Sequence, residues 1–97
     1  MKKTIEVIKT VEIEIEIKDK MFGDMTQEEF LVEFSRSFFK VSSIDDIYKY
    51  IASQIDVDSF GELFIEGVGF IDSWSTQNMN ISARYNITYT DVETEII

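Results

Sequence analysis

Apolar and polar residues alternate without a break over residues 10–17, Thr-Val-Glu-Ile-Glu-Ile-Glu-Ile. Val11, Ile13, Ile15 and Ile17 fall on one side and Glu12, Glu14 and Glu16 on the other, which is the period of a strand with one buried and one wet face. Ile5 and Val7 continue the odd phase, so a first strand is expected over residues 4–18. Lys9 interrupts the odd side and Ile8 sits on the even one, which predicts a bulge or bend near residues 8–10.

The period changes after a turn at residues 19–24. Thr26 is followed three residues later by Glu29, the pattern of a capping box, and Met25 and Phe30 are spaced as a hydrophobic staple. Phe30, Phe34 and Phe38 then recur every four residues, so a helix with an aromatic core face is expected over residues 27–39. Ser43 with Asp46 three residues on opens a second helix, with Ile44, Ile47, Ile51 and Ile55 on its buried side over residues 44–55. Asp45 and Asp46 favour its positive end.

Residues 62–72 read as a second strand that carries Gly67 and Gly69 at a spacing of two. Glycines there mark a bulge, a bend, or a place where another backbone or an aromatic ring comes close. A polar turn with the single Trp, Trp74, is expected over residues 73–78. The last strand is expected over residues 79–90, with Ile81, Ala83, Tyr85, Ile87 and Tyr89 on one face and Arg84, Asn86 and Thr88 on the other. Residues 91–97 either extend it or add a short terminal strand.

The order is therefore β-α-α-β-β, an α+β fold over residues 1–97. Its antiparallel sheet has three strands, or four if the terminal segment forms its own, and two helices cover one face. The short connection between the second and third strands implies a hairpin, and the first strand is placed beside the third because their apolar faces match. The opposite face then carries the glutamate row, with Arg84 able to neutralise one of its members. Strand two adds Phe64, Glu66 and Phe70, so an apolar spot rimmed by glutamates is expected on that face.

Composition narrows the function. Nineteen acidic residues against nine basic give a net charge of −10, which opposes DNA, RNA and anionic lipid as direct partners and suits a basic protein surface. With 44% hydrophobic residues and eight Phe, the chain is too apolar for a disordered acidic tail. The absence of Cys and His removes disulfides, thiolate metal sites and the commonest general base. No apolar run reaches the length of a signal peptide or the roughly 18 residues of a membrane span, so a cytoplasmic protein is expected.

Carboxylate pairs at Glu28-Glu29 and Asp45-Asp46 are explained as charges at helix starts. Asp56 and Asp58 lack the further oxygen ligands of a calcium loop. No nucleophile has a positioned base. Neither an enzyme, a metal nor a cofactor is expected.

Three functions remain. In the first, Glu12, Glu14, Glu16 and Glu66 with Phe64 and Phe70 bind a basic protein surface or a nucleoprotein complex. Alternate residues on a strand lie about 6.5 to 7 Å apart, near the through-space separation of successive phosphates, so the row can act as a nucleic-acid mimic. In the second, the protein self-associates through its sheet as a homodimer. In the third, Phe34, Phe38, Trp74 and Tyr85 line a ligand pocket. In size, acidic balance, lack of Cys and the isolated Thr-Val-Glu-Ile-Glu-Ile-Glu-Ile row, the chain resembles the small inhibitors that phages and mobile elements carry against host defence, anti-CRISPR proteins among them. That resemblance implies stoichiometric, non-catalytic inhibition of a defence protein inside a bacterial host cell.

Overall fold

The helix starts encoded at Thr26 and Ser43 both form in a computed structural model of the chain, which describes residues 1–74 and 80–97. Helix α1 (Gln27–Ser37) opens on a complete capping box, in which Thr26 Oγ1 accepts from Glu29 N–H at 3.2 Å and Glu29 Oε1 accepts from Thr26 N–H at 3.3 Å. Helix α2 (Ile44–Ser53) starts differently: Asp46 Oδ2 accepts from the N–H of Ser42 at 2.8 Å, one residue before the cap. Between the helices the Ser35 hydroxyl bonds both the N–H and the C=O of Val41, which fixes the turn and buries Val41.

Phe30 and Phe34 of α1 and Ile47 and Ile51 of α2 form one wall of the core, and Ile65, Ile71, Ala83 and Tyr85 of the sheet form the other. Phe34 is the hub of the ring contacts, with Phe38 and Phe39 each at 5.1 Å and Tyr50 at 5.6 Å between centroids. Tyr85 is 2% exposed and donates from its hydroxyl to Gly61 C=O at 2.8 Å. Burial pushes that hydroxyl's pKa above its ordinary value, and the charge of Asp72 adds to the effect.

The sheet has four strands: β1 (Ile5–Ile17), β2 (Leu63–Ile65), β3 (Gly69–Ser73) and β4 (Ala83–Ile96), in the order β1-β4-β3-β2. The class is α+β with two helices packed on the sheet, and β1 lies antiparallel beside β4. Two expectations about the second strand are corrected. Residues 62–72 form a hairpin, because Gly67 and Gly69 take φ of +84° and +109° and turn the chain between Ile65 and Gly69. The close ring approach is also present: a Cβ on Gly67 would lie 2.7 Å from Phe34 Cε2. Since that hairpin has already reversed the chain, β3 pairs with β4 in parallel, where a hairpin was expected. The ends of their connection are tied by Trp74 N–H to Tyr85 C=O at 2.8 Å and Ser82 N–H to Phe70 C=O at 2.7 Å. The expected turn over residues 73–78 and the strand start at Met79 fall partly outside the described residues, and β4 is described from Ala83.

The terminal segment extends the last strand. β4 runs to Ile96 and pairs with β1 as far as Ile5, so the two strands leave the body together as a ribbon. Residues 5–10 and 92–97 are exposed throughout. The resulting molecule measures 59 × 32 × 18 Å, with a Cα radius of gyration of 16.4 Å against about 12.5 Å for a compact chain of this length. The ladder has its irregularity between Glu12 and Ile13, where Thr88 of β4 is the extra residue. The expected bulge at residues 8–10 is absent, since the ribbon there has no core that would force Lys9 and Ile8 into phase. Thr88 Oγ1 donates to Glu12 C=O at 3.2 Å across the bulge.

Candidate protein-binding face

The Thr88 bulge decides which residues share a face. Residues directly paired across a ladder point to the same side. In the body, Ile13, Ile15 and Ile17 pair with Ile87, Tyr85 and Ala83 and face the core, while Glu14 and Glu16 pair with Asn86 and Arg84 on the outer face. One extra residue in β4 shifts its phase by one. Beyond the bulge, therefore, Glu12 pairs with Tyr89, Thr10 with Asp91, Ile8 with Glu93 and Glu6 with Glu95. Tyr89 was expected on the face of Ile87, and the bulge moves it to the side of the glutamates.

One continuous face thus carries Glu6, Glu12, Glu14 and Glu16 from β1 and Asp91, Glu93 and Glu95 from β4. The last three were missed in the sequence because residues 91–97 had no assigned phase. A regular ladder would have set them beside Ile5, Val7 and Lys9. The ribbon's opposite face collects Ile5, Val7, Val11, Val92 and Ile96, with Lys9 and Thr94 among them.

Cations on the acidic face sit at one end. Lys18 forms an ion pair with Glu16 and holds its carboxyl below the ordinary value, with a smaller contribution from Arg84. Arg84 stands in register between Glu16 of β1 and Asp72 of β3, and its Nε has no hydrogen-bond partner among the described residues. Asp72 is 6% exposed and accepts from Ser73 N–H at 2.8 Å.

Phe64 and Phe70 pair across β2 and β3, on the same outer face as Arg84 and Asp72. Their rings are 5.1 Å apart, and they are 65% and 48% exposed. Three strand spacings, about 14 Å, separate β2 from β1, so the phenylalanines and the glutamate row occupy opposite edges of one face. Glu66 is exposed in the β2–β3 turn, away from the row, and its carbonyl accepts from Tyr50 Oη at 2.8 Å.

The four rings expected to line a pocket are divided between two hollows. Phe34 and Phe38 border one of about 180 Å³ and Trp74 and Tyr85 another of about 220 Å³, both smaller than the roughly 300 Å³ of a ligand site. Among the described residues, no group of three or more carboxylates is arranged to hold a metal ion, and no helix is long and apolar enough to cross a membrane. Compared with known proteins, the chain matches no family model, no curated protein and no solved structure.

Proposed function

We propose that the protein is a non-catalytic inhibitor or adaptor that docks its acidic face on a basic, nucleic-acid-binding surface of a host defence protein, in the cytoplasm of a bacterial host. The observation that carries this reading is the predominantly acidic face made by Glu12, Glu14 and Glu16 and continued by Asp91, Glu93 and Glu95, with its cations, Lys18 and Arg84, confined to the Glu16 end. Like charges facing each other across strands are destabilising, and Glu6 opposes Glu95 directly. A basic partner relieves that repulsion, and solubility alone would be met by dispersed charges. The exposed Phe64–Phe70 pair supplies an apolar contact at the far edge of the same face.

Triple reversal Glu12→Lys, Glu14→Lys, Glu16→Lys is expected to abolish retention of the partner from bacterial extract. Wild-type binding should weaken steeply with salt and yield to competing duplex nucleic acid. Normal retention by the triple variant would sink the reading. The aliphatic face of the ribbon favours a second reading, self-association through the sheet. Light scattering over a concentration series separates the two, because only self-association gives a dimer without partner.

A further inference from the structure

We propose that the outer edge of β1 over residues 11–17 receives an extended strand of the partner protein, in which Lys or Arg alternates with aliphatic residues. This inference rests on the acidic face being protein-binding, and it names the kind of segment bound.

β1 ends the sheet order, and among the described residues no strand pairs with its outer side. The groups it presents there follow from the ladder. Ile97 N–H donates to Thr4 C=O at 3.0 Å and Lys18 N–H donates to Ser82 C=O at 2.9 Å, so the even-numbered residues bond β4 at both ends of β1. The extra residue lies on β4, and β1 keeps its phase throughout. Successive residues of a strand turn their N–H and C=O to opposite sides. Val11, Ile13, Ile15 and Ile17 therefore direct theirs outward. No proline, glycine or bulge of β1 closes this edge, and its one protecting device is the charge of Glu12, Glu14 and Glu16, which repels a like-charged strand and admits a basic one.

The two faces of β1 specify what can lie beside it. On one, Glu12, Glu14 and Glu16 project at every second position, and residues opposite them on an added strand would come within about 5 Å. Basic residues at alternate positions neutralise that row. On the other face, Val11, Ile13, Ile15 and Ile17 remain half-exposed, although the three isoleucines pack against the core. Aliphatic residues at the intervening positions extend the core layer by one strand. A second copy of this chain fits badly, because antiparallel pairing of two β1 edges with their faces matched sets glutamate against glutamate between chains of net charge −10 each.

The probe is the capped peptide Lys-Val-Lys-Val-Lys-Val-Lys, compared with the same peptide N-methylated at its five central residues. Methylation keeps every charge and side chain and removes the backbone donors. Binding of the unmodified peptide should slow amide exchange at Val11, Ile13 and Ile15 at least about tenfold, and the methylated peptide should bind at least about tenfold more weakly. Val11→Pro, which removes an outward N–H without touching the β4 ladder, should weaken binding to a similar extent. Equal affinity for both peptides, or unchanged exchange at those amides, overturns strand addition. If binding is then still lost on triple glutamate reversal, the acidic-face reading stands alone. Indifference to that reversal overturns both.

Discussion

Gly67 has φ of +84°, and a Cβ there would lie 2.7 Å from Phe34 Cε2 and 2.9 Å from Phe38 Cε2. Gly61 shares the sign, with φ of +74°, and a Cβ there would meet nothing within 4 Å. The pair separates backbone strain from crowding. Gly61→Ala should cost about 1–2 kcal/mol, the penalty of a left-handed conformation. Gly67→Ala should cost about 2–4 kcal/mol, because the buried Phe34 ring must also move. Thermal denaturation reads the difference, at roughly 4–8 °C per kcal/mol for a domain of this size. The glycine spacing already pointed to a bend or a nearby ring, and at Gly67 both hold. Which ring was not legible, since helix periodicity marks Phe34 as buried without saying which turn of the sheet it meets.

At the scale of elements, the helices were the most legible part, because capping residues and the spacing of Phe and Ile act within a few residues of each other. The glutamate row on β1 was equally plain. The acidic half of β4 was not, because alternation is read along one strand whereas facing depends on the partner. A single extra residue at Thr88 moves Asp91, Glu93 and Glu95 across the ribbon. The same limit hid the parallel β3–β4 pair, which follows from a turn inside what reads as one strand. Segregation of charge onto one face predicts a local stability effect. Glu95→Lys converts the Glu6–Glu95 pair from repulsive to attractive and should stabilise the ribbon by about 0.5–1 kcal/mol. Amide exchange at Glu6 and Ile8, whose N–H groups face β4, should slow accordingly, and the gain should shrink in high salt. Unchanged exchange would mean that these carboxylates do not feel one another.

At the scale of the whole molecule, body and ribbon differ in what holds them. The core draws on Ile13, Ile15, Ile17, Tyr85 and Ile87 and on no residue of 1–12 or 88–97. A two-stranded ribbon with neither face covered is marginal in water, so it contributes little to global stability. Deleting residues 1–9 and 92–97 removes Lys2, Lys3 and Lys9 together with Glu6, Glu93 and Glu95, three charges of each sign. Net charge therefore stays at −10, and the deletion tests shape without altering overall electrostatics. The shortened chain should keep a cooperative unfolding transition within about 1 kcal/mol of the full chain. Its radius of gyration by small-angle scattering should fall from near 16.4 Å toward about 12 Å. It retains residues 11–17 with Glu12, Glu14 and Glu16, so the edge of β1 should still bind the basic peptide. Loss of cooperative unfolding would make the ribbon part of the folding unit, and retained folding with lost peptide binding would move the binding surface out along the ribbon.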